Sequence, residues 1–239
     1  MNFSYSQILK DAHYHKIEQK RIRHLLKIFN SKIDASICDI GFGLGKYLDY
    51  AKEIGYTTYG IDVNPHYVNL AKEKGHHVCL PSEEVTFITM KFDLVLLSHV
   101  IEHLEPDVLL VLMKKYVGLL KPDGILIVAS PLLGDRFYYD ISHVRPYYPQ
   151  SIWHAFGQNN EELSFERTIW KLELIDIHFI KDSYRTRLNR SYYIDDANMV
   201  RFNLLRIINY VYALVYLLSG ARFGIKASWI GVYKKVFLN

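Results

Sequence analysis

The sequence has few cysteines, no long apolar run and little excess charge of either sign. Its two cysteines, Cys38 and Cys79, lie inside apolar stretches, so we expect buried, reduced thiols rather than a disulfide framework. The longest apolar region runs from Leu204 to Leu218 and is interrupted by Arg206 and Asn209. It is shorter than the ~20 residues that a membrane-spanning helix requires. The sequence therefore argues against both a disulfide-rich scaffold and a membrane-spanning helix.

Positive and negative charges are nearly balanced across the 239 residues. The 29 Lys and Arg residues against 25 Asp and Glu residues give a net charge of +4, which is too small to indicate nucleic-acid binding. The N-terminal segment is polar and lacks the apolar run and the small-residue cleavage site of a signal peptide. We expect a cytoplasmic globular protein that does not bind nucleic acid.

Strand-like and helix-like segments alternate between residues 35 and 129. Short apolar or β-branched runs predict strands at 35–40, 57–61, 77–80, 92–98 and 125–129. Helical patterns occur at 46–54, 65–74 and 108–120, and residues 121–124 predict a turn. This alternation predicts a doubly wound α/β sheet. Outside it we expect a helix at 5–30, an irregular aromatic segment at 131–158, strands at 170–180 and 228–237, and a long apolar helix at 197–219.

A glycine-rich turn directly follows the first predicted strand. It reads Asp39-Ile-Gly41-Phe-Gly43-Leu-Gly45, and such glycines allow a tight turn and a close approach of the backbone to a ligand. Asp62 follows Gly41 by 21 residues, at a strand end where a carboxylate can accept hydrogen bonds from both ribose hydroxyls of a nucleoside. The dinucleotide pattern G-x-G-x-x-G would require glycine at position 46, which is lysine. The turn therefore favours a cofactor without a pyrophosphate, and a purely structural turn is the alternative.

These residues resemble the motifs of class I S-adenosylmethionine-dependent methyltransferases. The family's D/E-x-G-x-G-x-G motif is matched from Asp39 to Gly45, and its acidic residue after the second strand is matched by Asp62. Its F-D-x-V-x-x-x-x-V-x-E-H motif is matched by Phe92, Asp93, Val95, Val100, Glu102 and His103. Its L-x-P-G-G turn is matched by Leu120, Pro122 and Gly124, with aspartate in place of the first glycine. The resemblance covers about residues 35 to 130.

The resemblance implies a Rossmann-like methyltransferase fold, with a mostly parallel seven-stranded sheet and a helical insertion before the last strand. Gly41, Gly43 and Gly45 would cradle the methionine part of S-adenosylmethionine, with Asp39 close to the cofactor and Asp62 on its ribose. Ser82 would flank the adenine, and Ser98 is a further expected cofactor contact. We expect one domain over 1–239, divided into an N-terminal helical segment (1–34), a cofactor-binding core (35–130), a lid or acceptor segment (131–165) and the insertion (183–224).

A histidine cluster, His99-Val-Ile-Glu102-His103, follows the fourth predicted strand. Alone, H-x-x-E-H is the inverted zinc-protease motif, in which two histidines of one helix face bind a metal, but here it follows a buried strand of a cofactor-binding sheet. Three interpretations remain open. His103, or His99, takes a proton from an acceptor hydroxyl; or His99, Glu102 and His103 hold a divalent cation, with His143 as a distant fourth ligand; or the cluster braces a helix start. We favour a site without metal.

The segment from Asp140 to Tyr147 resembles an H-x-R-x-Y stretch in methyltransferases that act on sugars and surface polysaccharides. The resemblance makes His143 a second candidate base and makes Arg145 and Tyr147 candidate substrate contacts. A guanidinium group can bind a phosphate or carboxylate of the acceptor through two parallel hydrogen bonds. A packed lid, in which these side chains are satisfied structurally, is the alternative.

The insertion begins with Arg185, Arg187 and Arg190 and continues into the apolar helix 197–219. Because a helix that is apolar nearly all round must be covered, we expect it in the domain core or in a homodimer interface, with contact to a membrane surface as the third alternative. Eleven of the 19 tyrosines lie beyond residue 130, which places acceptor specificity in this part of the chain.

Together these features predict an S-adenosylmethionine-dependent O-methyltransferase. The expected acceptor is a small molecule, a hydroxyl of a sugar or sugar-phosphate precursor of a surface glycan. One alternative is O-methylation of a quinone-like lipid precursor. The other is a cofactor-binding protein without activity that uses its C-terminal helix as a partner surface. The expected localisation is cytoplasmic, with peripheral membrane association left open.

Overall fold

A computed structural model describes residues 5–30, 33–135, 137–157, 168–185 and 200–238. By its contacts the chain divides into two compact units. The small unit comprises Met1–Arg21 and Phe179–Ser228, and the large unit comprises Ile22–His178 and Trp229–Asn239. The single domain over 1–239 and its segment boundaries stay predictions. Residues 136 and 158–165 of the predicted lid segment, and residues 186–199 of the predicted insertion with Arg187 and Arg190, lie outside the described residues.

Seven strands form one mixed sheet in the order β3-β2-β1-β4-β5-β7-β6. They are β1 Ser36–Ile40, β2 Thr57–Ile61, β3 His77–Cys79, β4 Phe92–Ser98, β5 Leu120–Pro131, β6 Trp170–Asp182 and β7 Ile225–Phe237. Strands β1 to β5 pair in parallel. The predicted doubly wound, mostly parallel α/β sheet is thereby confirmed.

Eight helices accompany these strands within the described residues. They are α1 Tyr5–Asp11, α2 Tyr14–Phe29, α3 Lys46–Glu53, α4 Pro65–Glu73, α5 Val85–Ile88, α6 Pro106–Gly118, α7 Pro149–Phe156 and α8 Val200–Leu218. Single 3₁₀ turns occur at Ile101–His103 and Phe137–Tyr139. Helix α8 lies between β6 and β7, as the predicted insertion requires.

Several sequence-based boundaries are wrong, each for a local reason. The predicted helix 5–30 is two helices that are interrupted at Ala12 and His13. The predicted turn 121–124 belongs to β5, where Asp123 has a φ of 60° and the pairing with β4 shifts register. The aromatic segment 131–158 contains α7, whose start combines a proline at its first turn with a capping interaction between Tyr148 and Ser151.

The central strands are buried on both faces, which explains their continuous apolar sequences. In β4, the run from Leu94 to Leu97 is almost fully buried, and β5 repeats this from Leu126 to Ala129. Both cysteines are free and buried in the same core, as the sequence predicted. Burial raises the pKa of Cys38 well above its ordinary value and that of Cys79 to about 11, so both thiols resist ionisation.

The strand order reverses between β1 and β4, and this reversal positions the site. Strand β1 pairs with β2 on one side and with β4 on the other, so the chain winds outward in both directions from this point. In open α/β sheets, ligands bind in the crevice beyond the carboxyl ends of the strands at such a reversal. The segments that follow β1, β2, β4 and β5 therefore converge on one edge.

Within the small unit, α1 and α8 pack against each other. Ile8 and Ala12 form a buried cluster with Ala213 and Tyr216 of α8, and the Tyr216 hydroxyl donates to the Lys181 carbonyl over 2.6 Å. The opposite face of α8 is exposed, so the domain core does not cover this helix completely, and the homodimer interface and the membrane-surface contact stay predictions. None of the helices in the described ranges is both long and apolar enough to cross a membrane.

Candidate active site

The glycine turn after β1 has the left-handed conformations that its sequence predicts. Gly41, Gly43 and Gly45 have φ values of 70°, 56° and 76°, which favour glycine. An added Cβ at Gly41 would lie 2.5 Å from Cγ2 of Val100, so this glycine is required by packing. A Cβ at Gly43 or Gly45 would meet nothing within 4 Å, so these two glycines border open space that a ligand can occupy.

Two backbone N–H groups, one from the glycine turn and one from the residues that follow β2, hold the Asp62 carboxylate in place. Its Oδ2 accepts a hydrogen bond from Gly43 N at 2.7 Å, and its Oδ1 accepts one from Asn64 N at 2.8 Å. Each carboxylate oxygen can accept a further hydrogen bond. The side chain is therefore fixed in orientation and retains the acceptor capacity that two ribose hydroxyls require.

Asp39 is almost fully buried, with 1% of its surface exposed. Among the described residues, its Oδ2 is one of a few buried side-chain atoms without a hydrogen-bond partner. Burial raises the pKa of Asp39 well above its usual range; Lys46 opposes this rise and the charge of Asp62 adds to it. Because an unpaired buried acceptor is unfavourable, a ligand that donates a hydrogen bond to this oxygen would stabilise the site.

Two serines were predicted to contact the cofactor, and the structure places both after parallel strands. Ser98 is the last residue of β4 and is half-buried, whereas Ser82 is exposed in the turn after β3. Both serines lie at the carboxyl-terminal edge of the sheet, where the glycine turn and Asp62 also lie. Their contacts with a cofactor stay predictions.

Glu102 is fully buried and holds three segments together. Its Oε1 lies 3.1 Å from Nδ1 of His99, and its Oε2 accepts a hydrogen bond from the Ser130 hydroxyl at 3.1 Å. Its backbone carbonyl accepts hydrogen bonds from the N–H groups of Val144 and Arg145. Glu102 therefore joins the exits of β4 and β5 to the acceptor segment, which is the bracing role that the sequence left open.

His103 and His143 meet at this junction, with ring centroids 4.8 Å apart in an edge-on contact. Nδ1 of His143 lies 2.7 Å from the Phe137 carbonyl, and Nδ1 of His103 lies 3.2 Å from the Ser142 carbonyl. A carbonyl oxygen only accepts hydrogen bonds, so in each neutral ring Nδ1 carries the proton. This leaves Nε2 of both rings as a proton acceptor.

The histidine closest to the strand does not lie on a helix with His103. His99 has a φ of 58° and directly follows β4, and only residues 101–103 form a 3₁₀ turn, so the helical geometry of the inverted zinc-protease motif is wrong. Ligand atoms of Glu102, His103 and His143 lie within 4.8 Å of one another, a spacing compatible with a cation. However, both Glu102 oxygens already have partners, and no comparison favours a metal.

The two predicted substrate contacts differ in exposure. Arg145 is exposed, beside His143 in the sequence. Tyr147 is buried, and its hydroxyl donates to the Leu104 carbonyl over 2.9 Å, a placement that favours packing over contact with an acceptor. Exposed aromatic rings instead belong to its neighbours, Tyr138, Tyr139 and Tyr148.

Sequence reasoning missed two residues, one that acts through a long-range hydrogen bond and one that lies near a histidine because of a local turn. Ser130 braces Glu102, and Asp140 lies 3.9 Å from Nε2 of His143. The only sequence signal for Ser130 is its position at the end of a buried strand. Asp140 is the first residue of the segment from Asp140 to Tyr147, but its role depends on the local turn that brings His143 close to it.

Comparisons with known proteins agree with this geometry. Residues 38–128 match a family model described as a methyltransferase domain. None of the curated proteins matches the sequence. A SAM-dependent methyltransferase from Archaeoglobus fulgidus superposes with a TM-score of 0.58 at 22% identity, over 92% of this chain and 93% of that chain.

Two further solved structures share the fold and act on different compounds. Magnesium protoporphyrin IX methyltransferase from Synechocystis PCC 6803, with bound SAM, has a TM-score of 0.55 at 14% identity over 98% of this chain and 84% of that chain. Coclaurine N-methyltransferase, bound to N-methylheliamine and SAH, has a TM-score of 0.57 at 13% identity over 90% and 72%. The match and the shared fold support S-adenosylmethionine as the cofactor. Residues 38–128 thus match the model of a methyltransferase domain, and the chain shares the fold of S-adenosylmethionine-dependent methyltransferases.

Proposed function

We propose that this protein transfers a methyl group from S-adenosylmethionine to a hydroxyl of a sugar or sugar-phosphate precursor of a surface glycan, with His143 as the base. The observation that carries the proposal is the placement of His143, with a fixed tautomer, at the carboxyl-terminal edge of the sheet beside an exposed basic and aromatic segment.

The cofactor side of the site fits the chemistry of S-adenosylmethionine. The open space at Gly43 and Gly45 accommodates a chain passing close to the backbone, and Asp62 offers two fixed acceptors to the ribose. The unpaired oxygen of Asp39 suits the positively charged amino group of the methionine part, which is a hydrogen-bond donor. When bound, the cofactor supplies an electrophilic methyl group, so the protein contributes mainly positioning.

We assign to His143 the removal of the proton from the acceptor hydroxyl. Its Nδ1–H group is held by the Phe137 carbonyl and its ring packs against Phe137 and His103, which leaves Nε2 as the proton acceptor. The Asp140 carboxylate, 3.9 Å from Nε2, stabilises the imidazolium that forms. Hydrogen bonds from Ser142 lower the pKa of Asp140, so this carboxylate is ionised at neutral pH.

The acceptor segment supports a sugar or sugar-phosphate. Tyr138, Tyr139 and Tyr148 are exposed and offer ring faces, on which the C–H groups of a sugar can pack. Arg145 is exposed two residues from His143 and can bind a phosphate through two parallel hydrogen bonds. A quinone-like lipid acceptor would use the aromatic rings but would leave Arg145 without a phosphate partner.

A screen with radiolabelled methyl donor tests the acceptor class directly. Nucleotide sugars and quinone precursors are offered to the protein in parallel, with and without a chelator. We expect label in a phosphorylated sugar and no effect of the chelator. Label in a quinone precursor alone would replace the glycan proposal, and calorimetric binding of the cofactor without turnover of any acceptor would support the cofactor-binding protein without activity.

Substitution of the histidines tests the base. We expect His143→Ala to lower kcat by roughly 10²–10⁴-fold, the usual contribution of general base catalysis, without changing cofactor affinity. His103→Ala should lower kcat less, because His103 supports the neighbouring ring. His154→Gln, an exposed histidine on α7, is the matched control and should behave as the unmodified protein. Equal activity of the His143→Ala variant and the control would refute the role of His143.

A further inference from the structure

Helix α8 has an exposed apolar stripe opposite the face that packs on α1. Leu204, Ile207, Val211, Val215 and Leu218 are each at least 45% exposed and are spaced by three or four residues, so they share one helix face. The stripe extends over about 21 Å at 1.5 Å per residue. Contiguous exposed apolar surface of this kind marks an interaction site more often than isolated apolar residues do.

The apolar surface continues beyond the stripe into aromatic residues. Tyr212, on the same helix, contacts Tyr184 edge-on with ring centroids 4.9 Å apart, and both rings are more than 40% exposed. Phe223 and Ile225 follow the helix in the chain and are exposed. Tyrosines with an apolar ring and a polar hydroxyl are enriched where membrane and water meet.

The charges around this surface are almost all positive. The described part of the small unit contains ten Lys or Arg residues against three Asp or Glu residues, and residues 200–228 contain no acidic residue. Of the three acids, Glu18 and Asp182 are buried, and Asp11 pairs with Lys16. Positive charge is therefore the net charge that this surface presents to a partner.

Two of the basic side chains flank exposed apolar residues directly. Arg222 and Lys226 are exposed on either side of Phe223 and Ile225. The Lys226 ammonium also lies 4.5 Å from the centre of the Phe179 ring, which is 39% exposed. Two cations thus flank exposed apolar side chains in one short segment, as expected for a surface that meets lipid headgroups and the start of the acyl chains together.

We propose that the exposed face of α8, with the segment Arg222–Lys226, docks onto an anionic lipid surface. The apolar stripe would enter the boundary between headgroups and acyl chains, and the basic residues would contact anionic headgroups. A second copy of the chain fits less well, because pairing would bring two surfaces of the same sign together without a counter-charge. This inference is independent of the methyl acceptor.

Vesicle co-sedimentation of the full chain tests the proposal. We expect binding to vesicles of phosphatidylcholine mixed with phosphatidylglycerol, little binding to phosphatidylcholine alone, and weaker binding at high salt because screening shortens the range of the attraction. The triple variant Ile207→Ser, Val211→Ser, Val215→Ser should lose at least about tenfold in partition coefficient, since binding scales with buried apolar area. The matched control is Val108→Ser, Val111→Ser on α6, where both valines are also exposed.

The double variant Arg222→Gln, Lys226→Gln tests how much the positive charge contributes to binding of anionic vesicles. Each basic side chain near an anionic surface contributes roughly a fivefold preference, so the pair should weaken binding by about 25-fold. All variants should retain the circular dichroism spectrum and the cofactor affinity of the unmodified protein. No binding to anionic vesicles, equal binding to neutral ones, or a serine variant that binds like its control would overturn the proposal. The proposal would also be overturned if the protein did not bind vesicles and instead formed a dimer that the triple substitution dissociates.

Discussion

Alanine substitutions at Gly41 and Gly43 should separate packing from ligand binding within one turn. Both glycines have a positive φ, which costs an L-residue about 1–2 kcal/mol. At Gly41 the added methyl group also meets Val100 at 2.5 Å, and overpacking of this kind costs about 1–3 kcal/mol. We therefore expect Gly41→Ala to lower the free energy of unfolding by about 2–5 kcal/mol and Gly43→Ala by about 1–2 kcal/mol.

Gly43→Ala, the less destabilising of the two substitutions, should be the one that weakens cofactor binding through direct steric conflict. The methyl group of Gly43→Ala points into open space that we assign to the cofactor, so S-adenosylhomocysteine should bind at least about tenfold more weakly, a change of 1.4 kcal/mol. Urea and thermal unfolding measure the first quantity, with about 2–4 °C in Tm for each kcal/mol in a chain of this size. Isothermal calorimetry measures the second.

Val100→Ala provides the control for the steric part of the argument. Shortening Val100 removes the atom that the new methyl group would meet, so the Gly41→Ala, Val100→Ala double variant should be more stable than the sum of the single effects by about 1–3 kcal/mol. Additive effects would show that the contact is not the cause. Equal destabilisation by Gly41→Ala and Gly43→Ala, or unchanged cofactor affinity of Gly43→Ala, would refute the reasoning about this turn.

Two further substitutions test the electrostatics and the packing around the site. Burial raises the pKa of Asp39 above its unfolded value, so its contribution to stability is lost as pH rises from ~3.9 through the folded pKa, by at most about 1.4 kcal/mol per pH unit. Asp39→Asn should flatten this decline in urea unfolding as the pH rises above ~3.9 and should weaken cofactor binding; a pH dependence like that of the unmodified protein would contradict the assignment. Tyr147→Phe should lower the free energy of unfolding by about 1 kcal/mol, because the Leu104 carbonyl loses its donor, and should leave the KM of the acceptor unchanged. A raised KM with unaltered stability would instead support the role in substrate binding that the sequence suggested.

The placement of the candidate cofactor residues at one sheet edge could be predicted from sequence because its signals are local. The run from Asp39 to Gly45 and the distance to Asp62 place these residues after adjacent strands, and parallel pairing then brings them to one edge. The structure adds what spacing cannot show. Gly43 binds Asp62 through its backbone, Gly41 is required by Val100, and one oxygen of Asp39 has no partner in the described part of the chain.

The acceptor half depended on contacts between distant segments. The sequence left His99, Glu102 and His103 as base, metal ligands or brace, since each role uses the same residue types. The positive φ of His99 and the contacts of Glu102 with Ser130 and the acceptor segment favour bracing for this carboxylate. The pairing of His103 with His143 follows from the path of a segment without regular periodicity, which no sequence pattern determines.

The position of both cysteines inside apolar stretches correctly predicted free, buried thiols, and the alternation of strand-like and helix-like segments correctly predicted the α/β sheet. The apolar sequence of α8 did not determine what covers this helix, because hydrophobicity indicates that a surface is unfavourable in water but does not identify its binding partner. The tertiary structure decided that only one face of α8 packs on α1, leaving the stripe from Leu204 to Leu218 exposed. Local periodicity thus determined the sheet and the cofactor turn, and long-range packing decided the orientation of the histidines and which apolar surface remained free.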